Sequence, residues 1–237
     1  MEACVVQEWM NPVEWTTNQL YPWFKGKPGV QYYSHIDLSL VNDCTGVAVV
    51  HKEGDIIIAD LLMKIKAPKG KEIDLAEIRN IILELRSRKF DIAKCTYDQF
   101  QSASSIQELT KMGINSERLS VDKDLGPYET LKEQMYTGKF KMYHNPDLMQ
   151  ELCRLELVEG KKVDHPATVG SGKDVSDALA GAVFNCVSNE STFSFSSTAA
   201  DIKKTEEQVL HEALTEPREG SDSGRGVYGY MRNRRDY

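Results

Sequence analysis

The chain has 237 residues, a net charge of −7, 41% apolar residues and 27% charged ones, which suits a globular protein with one sizeable core. No apolar run reaches the roughly 18–20 residues that cross a bilayer, and the opening MEACVVQEWMNP lacks the basic and apolar regions of a secretory signal. The five cysteines are scattered without a CxxC pair, which excludes a disulfide framework and a cysteine zinc site and fits a reducing compartment. The acidic balance disfavours a non-specific nucleic-acid coat. It does not exclude a nuclease, because carboxylates that hold metal count in the negative sum while a local basic surface can face phosphates.

Residues 1–30 hold all three tryptophans and no periodicity. They are expected to be an entry segment or linker that packs partly onto the domain. Three strands are predicted next, at Tyr33–Ser39, Thr45–His51 and Asp55–Met63, with short turns that make them antiparallel neighbours. The period then changes. Leu75, Ile78, Ile82 and Leu85 share one helix face within Ile73–Lys89, and Asp74 is a plausible N-cap. A fourth strand is predicted at Asp91–Tyr97 and a helix at Ser104–Met112. Leu119–Val121 follows as a short strand, Pro127–Tyr136 as a helix, Phe140–Tyr143 as a strand and Pro146–Leu157 as a helix. Gly160–Gly172 reads as a polar loop and Lys173–Val187 as the last long helix. The order predicts a domain over residues 31–190 with a mixed α/β sheet: three antiparallel strands, then parallel ones, with helices on both faces. Residues 191–237, serine-rich and then glycine- and arginine-rich, read as a polar, mobile tail.

Three aspartates stand at element ends. Asp37 ends the first strand and Asp98 the fourth, so parallel neighbours would deliver both to one sheet edge. Asp174 opens the last helix. Converging carboxylates suit a hard cation such as Mg2+ or Mn2+, and a pair of such ions clamps a phosphodiester during hydrolysis. Asp43, in the turn after Asp37, and Asp177, one helical turn from Asp174, are accessory candidates. Taken singly, each aspartate reads more readily as a turn or cap residue, and it is the joint placement at element ends that points to a shared site. Lys64, Lys66, Lys69 and Lys71 form a basic run before the first helix that suits phosphate contacts, as does Lys173; a solvated lysine loop is the plainer alternative. His165 is a candidate phosphate or water contact in the polar loop. No HExxH, GxSxG or GxxxxGK[ST] occurs, so the zincin, serine-hydrolase and P-loop ATPase patterns are absent.

Four stretches, HIDLSLVNDCTGVAVV, YDQFQSASSIQELTKMG, GPYETLKEQMYTGKFKMYHNPDLMQELCRLEL and HPATVGSGKDVSDALAGAV, resemble the C-terminal nuclease domain of the large terminase subunit of tailed bacteriophages. The resemblance implies a ribonuclease-H-like fold and a two-metal endonuclease that cuts concatemeric double-stranded DNA during genome packaging. It places the metal-binding acids at Asp37, Asp98 and Asp174. It further implies an ATPase motor, portal and small terminase subunit as partners, and the host cytoplasm as location. The motor itself is not in this sequence. The competing expectations are a junction resolvase or RNA–DNA hybrid nuclease of the same fold, and a non-catalytic docking module for portal or small terminase.

Overall fold

The computed structural model describes residues 1–39, 44–68, 70–98, 102–166 and 172–189. The expected tail, 191–237, lies outside them, as do Asp43 and Lys69. Strand β1 (Gln31–Asp37) pairs antiparallel with β2 (Cys44–Glu53), and β2 with β3 (Ile56–Lys66). Gly54, at φ 58°, makes the β2–β3 turn, a left-handed position that glycine takes without strain. Helix α1 (Leu75–Ser87) leads to β4 (Asp91–Tyr97). Asp74 caps α1, accepting a hydrogen bond from the Ala76 amide at 2.7 Å. Then come α2 (Ala103–Lys111), β5 (Ser116–Arg118), α3 (Gly126–Tyr136), β6 (Phe140–Met142) and α4 (Pro146–Leu152). A hairpin, β7 (Glu156–Val158) and β8 (Lys162–Asp164), precedes the last helix, α5 (174–189).

The main sheet has the order β5-β4-β1-β2-β3-β6. Strands β4, β5 and β6 each run parallel to a neighbour, so the expected mixed sheet is present. Alternation along each strand divides its residues between two cores. Tyr32, Ile36, Val47, Val49 and Leu61 meet Ile78, Ile82 and Leu85 of α1 and Leu109 of α2. Tyr33, Ala48, Val50 and Leu62 meet α3, α4 and α5 on the opposite face. The amino-terminal segment joins the sheet through Val13, Leu20 and Phe24, which are buried in the first of these cores. Among the described residues no helix is long and apolar enough to cross a membrane.

Four sequence expectations need correction. The strand expected at Leu119–Val121 lies at Ser116–Arg118, where a polar triplet pairs with Cys95–Tyr97. The helix expected to reach Leu157 ends at Leu152. The polar loop is partly the β7–β8 hairpin, turned at Glu159 and Gly160, both at positive φ. Lys64 and Lys66 also belong to β3 rather than to a loop.

Helix α5 lies across β1 and β2 at unusually close range. Its Gly181 faces His35, and a Cβ at 181 would stand 2.3 Å from the imidazole Cγ. His35 is fully buried, with Nδ1 2.7 Å from the Thr96 hydroxyl. Burial pulls its pKa down to about 3, so the ring is neutral. Further along, the Asn185 amide donates to Thr96 Oγ1 at 2.7 Å and to the Ser34 carbonyl at 3.0 Å. Gly181→Ala would gain about 1 kcal/mol in helix propensity. The overlap with a buried ring should cost about 1–3 kcal/mol and prevail. Chemical denaturation is expected to show a net loss of stability, and an unchanged or raised midpoint would mean that α5 seats differently.

Candidate active site

The same packing sets one sheet edge. Asp37 is the last residue of β1, and its cross-strand partner is Gly46 of β2. A Cβ on Gly46 would lie 1.9 Å from the Asp174 carbonyl oxygen, so the start of α5 rests directly on β2 beside Asp37. On the other side of β1, Ile36 pairs with Tyr97, and the Asp98 amide donates to the Ile36 carbonyl at 3.1 Å. Side-chain alternation does the rest. His35 and Thr96 both face α5, so Asp37 and Asp98, two residues further along, lie toward the same side.

Electrostatics report the gathering of charge. Burial, and then the carboxylates of Asp177, Asp174 and Asp98, push the Asp37 pKa well above the ordinary carboxylate range, with Lys173 opposing. Burial likewise raises Asp177, to about 6, against the pull of Lys173 and a hydrogen bond from Tyr128. Tyr128 Oη donates to Asp177 Oδ1 at 2.5 Å, and Lys173 Nζ is 2.5 Å from Oδ2. Lys173 also reaches Asp122 at 2.5 Å. Against the cost of burying an ammonium, these two acids raise the Lys173 pKa.

A second ammonium flanks Asp174. Lys64 Nζ stands 3.4 Å from Asp174 Oδ2 and 2.6 Å from Glu151 Oε1. Glu151 Oε2 accepts the Ser176 amide at 2.9 Å, which fastens α4 to the first turn of α5. Burial raises the Glu151 pKa, with Lys64 opposing. Glu151, Asp122 and Tyr128 had no distinguishing signal in the sequence. Glu151 sits in an ordinary amphipathic helix, and only the tertiary fold brings it to Lys64.

The structure therefore brings Asp37, Asp98, Asp174 and Asp177 to one edge. Among the described residues, no three acidic, histidine or cysteine side chains already form a ready ion cage. Asp174 and Asp177 face lysine ammoniums instead. The donor set is nonetheless all carboxylate oxygen, which suits magnesium or manganese, and its mutual repulsion is what a divalent ion would relieve. Asp37, Asp98, Asp174 and Asp177 are the carboxylates at that edge. Of the candidate phosphate contacts, Lys64 and Lys173 are engaged with acids, whereas Lys66 and Lys71 are exposed. His165 turns Nδ1 to the Pro166 carbonyl at 3.0 Å.

The mixed sheet with its helices has a ribonuclease-H-like fold, the fold of large terminase nuclease structures. The large terminase of bacteriophage HK97 matches with a TM-score of 0.58 at 15% identity, over 77% of this chain and 41% of that one. The large terminase nuclease of thermophilic phage G20c matches with a TM-score of 0.58 at 16% identity, over 76% of this chain and 93% of that one. The nuclease domain of the Thermus phage P74-26 large terminase matches with a TM-score of 0.57 at 16% identity, over 76% and 90%. The G20c nuclease has been crystallised with magnesium, cobalt and zinc. This chain thus spans less than half of the HK97 protein and nearly all of the isolated nuclease domains. No protein-family model matches the sequence, and no curated protein matches it.

Proposed function

We propose that this chain is a metal-dependent endonuclease that cuts concatemeric double-stranded DNA during phage genome packaging. The observation that carries the reading is the convergence of Asp37, Asp98 and the start of α5 at one sheet edge, in a fold shared with terminase nucleases. The proposed ligands are Asp37, Asp98 and Asp174, for a pair of magnesium or manganese ions. When bound, such ions would supply activation of water and neutralise charge on the phosphorus oxygens. The protein's own part is to place the carboxylates. Glu151 and Gly46 fix the first turn of α5, while Tyr128 and Lys173 hold Asp177. Lys173 and Lys64 balance the acids' charge, and Lys66 and Lys71 can meet phosphates outside the cluster. Asp43 remains an accessory candidate, and Lys69 a further phosphate contact. The reading supplies the ATPase motor, portal and small terminase subunit as partners and the host cytoplasm as location.

The test is digestion of supercoiled plasmid with magnesium or manganese. Asp98→Ala and Asp174→Ala should each lower cutting more than a hundredfold, and chelation should stop it. Asp177→Ala should cost less, because Asp177 is tied to Tyr128 and Lys173. Parental rates in the Asp98 and Asp174 variants would overturn the assignment.

A further inference from the structure

Next to Lys64, and outside the acidic cluster itself, lies a recess. It has a volume of about 300 Å³ and lies between the amino-terminal segment and β3. Its lining includes Asn11, Trp15 and Asn18 of the amino-terminal segment, Lys64 and Lys66 of β3 and Asp147 of α4. Among the described pairings, β6 covers only Ile57–Ala59 of β3, so the Leu62–Lys66 stretch runs along the sheet's margin. Leu62 turns its amide and carbonyl outward, to Tyr143 Oη at 2.8 and 3.2 Å. Alternate residues of an antiparallel strand turn the same way, so Lys64 and Lys66 direct their backbone groups to that margin too.

Trp15 is 51% exposed, and a fixed turn carries it. The Glu14 carboxylate accepts from the Thr16 amide at 3.2 Å and the Thr17 amide at 2.7 Å, and from both hydroxyls at 2.6 Å. Those bonds, the Thr16 hydroxyl first, lower the Glu14 pKa to about 2, so the staple persists across ordinary pH. An indole open to solvent in the same recess as the exposed Lys66 is an arrangement that takes a base on the ring and its phosphate on the ammonium. Lys64 belongs both to this recess and to the Asp174 contact, which joins the two places.

We propose that the Trp15–Lys66 recess binds one unstacked nucleotide of a single DNA strand and leads that strand to the Asp37 edge. The inference rests on the nuclease reading above. A base paired in a duplex cannot enter such a recess, so the preferred substrate has a locally opened strand. Lys66 attracts phosphate and Asp147 repels it, which leaves the base to Trp15.

The experiment uses the full chain carrying Asp37→Asn, to suppress cutting. Fluorescence anisotropy follows a labelled 12-nucleotide single strand and the corresponding duplex. Trp15→Ala and Lys66→Ala should each weaken single-strand binding about fivefold or more, a scale set by base–aromatic stacking. Duplex binding should change less than twofold in Trp15→Ala, Trp15→Phe should retain most single-strand binding, and thermal melts should match the parent. Parental single-strand affinity in Trp15→Ala, or an equal loss on duplex, overturns the recess proposal. If that occurs while the unmutated chain still cuts plasmid, the nuclease reading stands without it. Failure of the unmutated chain to bind or cut any DNA removes both.

Discussion

Asp37→Asn is expected to abolish cutting and, in metal-free buffer, to make the protein more stable. The two effects share one cause. The Asp37 carboxyl is buried at the end of β1, and burial together with Asp177, Asp174 and Asp98 disfavours its charged form. Asparagine keeps the shape and removes the charge, so it relieves repulsion that the native site tolerates. A gain of about 1–2 kcal/mol is reasonable for removing an ill-solvated charge from among others, or roughly 2–8 °C in melting temperature for a domain of this size. Loss of a proposed metal ligand should lower plasmid cutting at least a thousandfold, on the order of removing a principal electrostatic group. Magnesium should then narrow the difference, because it stabilises the parent and has less to bind in the variant. Thermal melts of both proteins, with and without magnesium, together with plasmid digestion, check the pair of effects. A lower melting temperature for the variant in metal-free buffer, or cutting at the parental rate, would sink the argument.

Gly46→Ala should be among the most damaging single-methyl changes in the domain. The added Cβ would stand 1.9 Å from the Asp174 carbonyl oxygen and 2.5 Å from its carbonyl carbon, with Ala178 Cβ at 3.1 Å. The first two are backbone atoms, so no rotamer change relieves them and α5 must move off the sheet. Overpacking typically costs 1–3 kcal/mol, and a rigid contact of this kind belongs near the upper end, about 3 kcal/mol. Displacement of Asp174 by about 1 Å should lower cutting by roughly a hundredfold even in molecules that remain folded. Ala178→Gly is the informative second change. It frees only the 3.1 Å contact and should not restore activity. Denaturation midpoints and plasmid cutting on the single and double variants measure this. Full activity in Gly46→Ala would show that the start of α5 does not rest on β2.

Much of this frame was legible in the sequence because its main elements are half-buried and periodic. Alternation exposed β1 to β4, and the i, i+3, i+4 pattern exposed α1. Asp37, Asp98 and Asp174 stood at predicted element ends, which was enough to suggest a common edge. The β7–β8 hairpin escaped because Glu156–Val158 is exposed throughout, so no burial pattern marks it, and its residues prolonged the apparent periodicity of α4. Strand β5 was expected three residues too late because its position comes from pairing with β4 rather than from its own polar side chains. Glu151 and Asp122 were invisible for a related reason: their ammonium partners lie far away in sequence. Gly46 and Gly181 could be seen as small residues, but only the assembled layers show what each would strike.

The seating of α5 on β1 and β2 bears on how such a protein is made. The first acid of the edge belongs to the first strand of the sheet, and Asp174 arrives with the last described helix. Nearly the whole domain must therefore leave the ribosome before the edge can close. Contacts so distant along a chain form late and slowly. A nascent or truncated product ending before α5 would expose an incomplete sheet but no complete acidic edge. Its fault would be a tendency to aggregate.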